Sequence, residues 1–161
     1  MRTLIVYYSR TGNTKLISDE VAVALGADVE ELKDRKNRQG CIGYMKSGLD
    51  AIRKHRADLE PATHNPADYD LVVLGGPTWA STICTPTRTY AASHKNSLKN
   101  VAFLCTAGDA QSAQKGCNAL GEVTGRAPVA TLALGEKDIS GDHAQAVADF
   151  VASLHARGVA D

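Results

Sequence analysis

A short apolar run at residues 4–8 leads directly into a segment of small polar residues, and a helical pattern begins immediately afterwards. A buried strand that ends in this way places hydroxyl and amide donors in front of the unpaired N–H groups of a helix N-terminus. A glycine at position 12 lets the backbone fold closely around a ligand. The segment therefore predicts a cradle for a phosphate monoester. Its residues are Ser9, Arg10, Thr11, Gly12, Asn13 and Thr14.

Two familiar phosphate-binding motifs are excluded for this segment. No Gly-Lys-Ser/Thr follows it, so it is not the phosphate loop of nucleoside triphosphatases. It contains one glycine, whereas the dinucleotide-binding fingerprint needs three. The remaining alternative is that the segment only caps the helix, as turns rich in Ser, Thr and Gly often do.

Two further loops of small residues follow apolar runs later in the chain. Residues 75–81 follow the run at 71–74, and residues 106–110 follow the run at 101–105. The carboxyl ends of parallel strands meet at one edge of a sheet, where open α/β folds bind their ligands. We therefore expect all three loops to meet at one ligand site.

The alternation of strand and helix patterns predicts an α/β fold with a five-stranded, doubly wound parallel sheet that carries helices on both faces. We expect the fifth strand to run without interruption into the last helix, and we expect residues 1–161 to form one domain. The predicted strands are 3–8, 27–32, 71–74, 101–105 and 129–134. The predicted helices are 13–25, part of 33–56, a helix that begins near Pro86, 110–121 and 142–157.

These loops resemble those of the flavodoxin family, short-chain type, over nearly the whole chain. Residues 9–14 match the family's Ser/Thr-x-Thr-Gly-x-Thr pattern at every fixed position. The Gly-Pro-x-Trp loop and the Gly-Asp loop look like the family's two flavin-ring loops. The resemblance implies FMN as the cofactor, with its phosphate at residues 9–14. Beyond the phosphate loop, the implied cofactor contacts are Pro77, Thr78, Trp79, Ala80, Thr106, Ala107, Gly108 and Asp109.

Trp79 is the only tryptophan of the chain. The resemblance implies that it stacks on one face of the flavin ring, while the alternative is an ordinary core aromatic. The family also implies that backbone near residues 76–78 hydrogen-bonds to flavin N5. We expect the small Gly75-Gly76 pair to allow a peptide flip there.

The third loop departs from the family pattern. Flavodoxins commonly place a tyrosine just after the Gly-Asp, whereas Ala110 follows Asp109 here and the next aromatic residue is Phe150. We therefore expect one flavin face to be less covered than in a typical flavodoxin. Asp109 is also interpreted as a turn or helix-capping residue, a role that is compatible with backbone contacts to the flavin ring. Arg10 could pair with the phosphate or point into solvent.

These observations leave three classes of function open. The first is an FMN-binding electron carrier between redox partner proteins, in which the apoprotein supplies no catalytic residue. The second is an FMN-dependent NAD(P)H oxidoreductase that acts on quinones or similar acceptors through the less covered flavin face. The third is a regulatory module that has the fold without the flavin.

Composition narrows the choice of partners. The 18 basic and 18 acidic side chains give no net charge, so nothing global directs the chain toward nucleic acid or an anionic membrane. Residues 33–56 hold eight Lys or Arg, which is either a solvated helix face or a docking patch for an acidic redox partner.

Cysteine use and the N-terminus predict the compartment. The four cysteines, at positions 41, 84, 105 and 117, include no Cys-x-x-Cys pair, and no histidine lies at metal-ligand spacing from them. We expect reduced thiols, no metal site and a cytoplasmic protein, since we also find no signal peptide and no apolar run of transmembrane length.

Overall fold

The computed structural model describes residues 1–35 and 56–157, and its centre is a parallel sheet. Its strands are β1 (Thr3–Tyr7), β2 (Asp28–Glu31), β3 (Leu71–Trp79), β5 (Asn100–Ala107) and β6 (Thr131–Gly135). They are arranged in the order β2-β1-β3-β5-β6, and a two-residue strand β4 (Thr82–Ile83) pairs antiparallel with the end of β3. The strand order reverses between β1 and β3, which confirms the predicted doubly wound α/β fold.

Helices cover both faces of this sheet. In the described residues they are α1 (Asn13–Leu25), α2 (Thr85–His94), α3 (Ala110–Thr124), α4 (Glu136–Ser140) and α5 (Ala144–Arg157), and a 3-10 turn spans Pro66–Asp68. Side chains of α1 and α5 belong to one apolar cluster, and side chains of α2 and α3 belong to the other. Of the residues the structure describes, none belongs to a helix long and apolar enough to cross a membrane.

Alternating side chains of the central strands supply these two clusters. Along β1, Leu4 and Val6 pack under α2 and α3, whereas Ile5 and Tyr7 pack under α1 and α5. Every residue of β1 is buried because both faces of the strand are covered. This is why the run at 4–8 is continuously apolar rather than alternating with polar residues.

Helix boundaries follow the local signals in the sequence. Gly26 ends α1 with φ 60°, and Gly125 ends α3 with φ 65°, in the left-handed conformation that glycine adopts without steric cost. Pro86 lies in the first turn of α2, where its missing N–H is not needed. The prediction of a helix that begins near Pro86 is confirmed, whereas the helix predicted at 110–121 extends to Thr124.

The prediction that the fifth strand runs directly into the last helix is wrong. The short helix α4 lies between β6 and α5. It begins because the Gly135 N–H donates a hydrogen bond of 2.8 Å to the carboxylate of Asp138, which caps the first turn. The helix predicted within residues 33–56 lies largely outside the described residues.

The loops after the third and fourth parallel strands are shorter than predicted, because sheet pairing continues further. Pro77 in β3 is paired with Thr106 in β5, so both residues belong to strands. Gly75 and Gly76 lie inside β3 with partners in β5, and neither has a positive φ. Both glycines thus belong to the sheet rather than to the loop, and the peptide flip near residues 76–78 stays a prediction.

Gly76 is required for close packing between β3 and α2. A Cβ at this position would lie 2.6 Å from Thr87 Oγ1 and 2.7 Å from Cys84 Sγ. We expect Gly76→Ala to lower the free energy of unfolding of the apoprotein by about 1–3 kcal/mol, the usual cost of overpacking. Gly108→Ala is the matched control, because a Cβ at Gly108 meets no atom within 4 Å. Urea unfolding of both variants measures the difference, and equal stabilities would contradict this packing role.

Candidate functional site

The carboxyl ends of β1, β3 and β5 meet around a cavity of about 190 Å³. The cavity is lined by residues from all three predicted loops and by one residue that follows β6. The structure thus brings the three loops together, as the sequence predicted. The lining residues are Arg10, Thr11, Asn13, Thr14, Pro77, Thr78, Trp79, Thr106, Ala107, Gly108 and Glu136.

The first loop prepares the N-terminus of α1 to receive an anion. Gly12 adopts the left-handed φ of 101°, and a Cβ there would meet no atom within 4 Å, so its backbone borders open space. Ser9 Oγ accepts hydrogen bonds of 3.2 Å from the N–H groups of Gly12 and Lys15. Gly12 has no side chain that could cap the helix, so Ser9 takes up only the Lys15 N–H of the first turn and leaves the N–H groups of Asn13 and Thr14 for a ligand.

Two buried hydroxyls form the floor of the cavity. Thr14 Oγ1 and Thr106 Oγ1 are 2.9 Å apart and join the first loop to the end of β5. Their mutual hydrogen bond uses one hydroxyl hydrogen, so the second is left for another acceptor. Thr78 Oγ1 is buried too, but it lies against Gly116 of α3, where it leaves no room for a Cβ. The hydroxyl hydrogen that the Thr14–Thr106 pair leaves over is satisfied when the cavity holds an acceptor-rich group such as a phosphate.

Arg10, in the first loop, and Lys15, just after it, lie in different places. Lys15 Nζ hydrogen-bonds to Tyr7 Oη and to the Asp19 carboxylate, both at 3.1 Å, and these contacts raise the pKa of Lys15. Lys15 does not line the cavity, whereas Arg10 does. The donors of the cradle are therefore mainly neutral hydroxyl and N–H groups.

Trp79 lies both in the core and at the cavity, and its stacking on a flavin ring stays a prediction. It ends β3, its side chain is 5 % exposed, and its ring meets the Tyr8 ring edge-on, with centroids 5.7 Å apart and an interplanar angle of 84°. It belongs to the core cluster under α2 and α3, and it also lines the cavity. The β3–β4 hairpin carries the ring into the core.

Strained backbone lies next to Trp79. Ala80 and Ser81 form the turn between β3 and β4, with left-handed φ values of 49° and 63°. Residues other than glycine enter this region at a cost of order 1 kcal/mol or more. Neither residue type signals such a turn in the sequence. Ala80, which the sequence predicted as a cofactor contact, does not line the cavity.

Asp109 caps α3 rather than facing the cavity. Its carboxylate accepts hydrogen bonds of 2.8 Å from the Ser112 N–H and from the Ser112 hydroxyl. These bonds lower the pKa of Asp109 below its ordinary value. The capping alternative for Asp109 is thus what the structure shows, and the position of its side chain differs from that of its neighbour Gly108, which lines the cavity.

Sequence reasoning missed Glu136, the acidic residue that lines the cavity. It directly follows β6, whose end pairs with the end of β5 through Gly135 and Ala107. The sequence did contain a signal for Glu136, because it follows the fifth strand, which ends at the same edge of the sheet as the three strands that supply the loops.

Comparisons with known proteins agree with this geometry. The family model described as Flavodoxin matches residues 2–149. A flavoprotein in complex with FMN from Lactobacillus acidophilus has a similar structure, with a TM-score of 0.70 at 24% identity over 81% of this chain and 91% of that one. The search of curated proteins returns no match.

Two more distant structures share the fold over nearly their whole length. A Fusobacterium nucleatum flavodoxin bound to FMN has a TM-score of 0.59 at 14% identity, over 98% of this chain and 99% of that one. A WrbA-like flavodoxin from Agrobacterium tumefaciens has a TM-score of 0.55 at 12% identity, over 97% of each chain. The family match covers most of the sequence, and the sheet order and the loop-lined cavity agree with it. This chain belongs to the flavodoxin family.

Proposed function

We propose that this flavodoxin-family protein binds FMN at the carboxyl edge of its sheet and carries electrons between redox partner proteins. The observation that carries the proposal is the cavity in which Thr14 and Thr106 place buried hydroxyls beside the N-terminus of α1. This donor set fits a phosphate monoester. FMN is also present in two of the similar solved structures.

Different parts of the chain would bind the phosphate and the ring of FMN. Residues 9–14 hold the phosphate through hydroxyl and N–H donors, while residues 77–79 and 106–108 border the ring. Ser9 orders the first loop, and Asp109 fixes the start of α3, so both act through the backbone that they position. FMN supplies the redox chemistry when it is bound, since no acid–base or nucleophilic group of the chain is needed for it.

The size of the cavity leaves part of a bound FMN exposed, as a carrier requires. Closed small-molecule pockets measure about 300–1,000 Å³. A cavity of about 190 Å³ therefore encloses only part of FMN and leaves the remainder at the surface. Electron exchange with a partner protein requires only such an exposed edge.

The predicted docking patch at 33–56 lies mostly outside the described residues, and within them Arg35 already pairs with Asp58 at 3.0 Å.

A second candidate is an FMN-dependent NAD(P)H oxidoreductase that reduces quinones or similar acceptors. The observation that favours it is that α3 begins at Ala110, directly after Asp109, so the third loop brings no aromatic side chain to the cavity. A flavin face left uncovered there would admit a nicotinamide. A WrbA-like protein is among the structural neighbours.

We propose a cytoplasmic location because of the state of the cysteines that the structure describes. Among the described residues, Cys105 and Cys117 are buried thiols that form no disulfide. Burial raises the pKa of the Cys105 thiol, which keeps it in its unreactive protonated form. Free thiols of this kind are typical of a reducing compartment.

Anaerobic titration of the FMN-loaded protein distinguishes these functions. For a carrier, we expect dithionite to reduce the flavin in two separated one-electron steps, and NADPH or NADH to reduce it only slowly. For an oxidoreductase, a pyridine nucleotide reduces the flavin rapidly in one two-electron step and a quinone reoxidises it. Rapid reduction of this kind would overturn the carrier proposal. Failure of the apoprotein to bind FMN would favour a regulatory module without flavin.

A further inference from the structure

A side-chain contact joins α1 to the connection between α4 and α5. His143 Nε2 lies 3.0 Å and 3.2 Å from the two carboxylate oxygens of Glu20. Glu20 lies within α1, and His143 directly precedes α5. The His143 side chain is 16 % exposed and the Glu20 side chain is 40 % exposed, so water screens this pair less than a pair at the open surface. The contact thus ties together two helices that are distant in the sequence.

The surroundings of His143 favour its protonated form. An ionised carboxylate only accepts hydrogen bonds, so Nε2 carries a hydrogen and the second proton of the ring binds at Nδ1. Within the described residues, Nδ1 is buried and makes no hydrogen bond, yet the carbonyls of Asp138 and Ile139 in α4 lie close enough to act on the charge of the ring. The hydrogen bond to Glu20 raises the pKa of His143 most, burial opposes it, and these carbonyls add to the increase.

Neighbouring charged groups do not reverse this effect. The carboxylates of Asp138 and Asp142 accept hydrogen bonds from backbone N–H groups and keep their negative charge, which acts in the same direction as that of Glu20. The remaining charged or titratable groups of α1, α4 and α5 are exposed or paired with each other, so solvent screens them. They are Lys15, Asp19, Glu136, Lys137, Asp149, His155 and Arg157.

Packing between α1 and α5 is incomplete beside this contact. A groove of about 460 Å³ lies between the two helices, and its walls are mostly alanine and valine side chains. Glu20 lines the groove, and so does Ala144, the residue after His143. Short side chains supply few atoms for dispersion contacts. We therefore expect the polar contact to contribute a larger share of the interaction between α1 and α5 at this place.

We propose that His143 and Glu20 form a pH-sensitive latch, which holds the α4–α5 connection against α1 while His143 is protonated and weakens when His143 loses its proton. A group whose pKa is higher in the folded state stabilises the fold below its ordinary pKa, which is about 6.5 for histidine, and this contribution is lost as the pH rises through the raised value. The neutral ring still donates from Nε2, so the contact is weakened rather than lost. The inference does not depend on bound FMN.

The test compares the wild-type chain with Glu20→Gln, which keeps a hydrogen-bond acceptor but removes the charge. The midpoint of thermal unfolding is measured for each protein at about pH 6 and at about pH 8.5, on either side of the expected titration. We expect the advantage of the wild type over Glu20→Gln to be about 2–4 °C larger at the lower pH. His143→Gln should show the same loss of pH dependence. His155→Gln is the matched control, because it removes an exposed histidine of α5 and should behave as the wild type.

Titration of the imidazole signals by NMR adds a readout that stability alone does not supply. His143→Gln assigns the His143 signal, and the pKa of His143 should lie above its ordinary value in the wild type and fall in Glu20→Gln. A pKa of His143 that Glu20→Gln leaves unchanged would overturn the inference, and so would a wild-type advantage of equal size at both pH values. Loss of the pH dependence in His155→Gln would also overturn it, because the effect would then not belong to the latch.

Discussion

Replacing Thr11 and Thr14 together with alanine is expected to weaken FMN binding by more than tenfold, and to weaken riboflavin binding much less. Both residues line the cavity, and the Thr14 hydroxyl is buried against Thr106 at 2.9 Å. Hydrogen bonds to a charged group contribute about 1.5–3 kcal/mol each, so the loss of one already accounts for the expected factor. Riboflavin lacks the phosphate and does not depend on these donors.

Titration of the apoprotein with each flavin measures the two losses. Thr14→Ser is the matched control, because it keeps the hydroxyl that contacts Thr106 and should retain most of the FMN affinity. Thr131→Ala removes an exposed hydroxyl in β6, away from the cavity lining, and should change neither flavin. Equal losses for FMN and riboflavin in the double variant would show that residues 9–14 do not hold the phosphate.

The first loop could be predicted because its signals are local. An apolar strand, a glycine with φ 101° and the helix that begins at Asn13 are adjacent in sequence, and each has a strong residue preference. The convergence of the three loops was predictable as well, because parallel strands in an α/β fold share one ligand-binding edge. Most residues that line the cavity belong to the three loops that these two inferences identified.

The remaining features depend on tertiary contacts that the sequence does not display. Gly75-Gly76 has the composition of a loop, yet it lies in β3 because Gly76 lets α2 approach through Cys84 and Thr87. The left-handed turn at Ala80 and Ser81 contains no glycine, so the residue types in the sequence did not indicate this turn. Glu136 reaches the cavity only because Gly135 packs against α3.

The fluorescence of Trp79 is expected to be strongly quenched when FMN is bound and to recover when FMN is removed. Trp79 is the only tryptophan in the chain, so its emission is assigned without ambiguity. Its ring lines the cavity at the end of β3, where the flavin ring would lie in contact with it. Offset stacking of two aromatic systems contributes about 0.5–1.5 kcal/mol and brings them within the range of efficient quenching.

Riboflavin separates this effect from phosphate binding. At saturation riboflavin should quench Trp79 as fully as FMN does, because the ring alone makes the contact, whereas inorganic phosphate should leave the emission unchanged. The edge-on contact with Tyr8 is present in the protein without flavin, so it contributes to the starting emission and not to the change. If emission is the same with and without FMN, the flavin ring does not contact Trp79, and the ring must bind against the third loop instead.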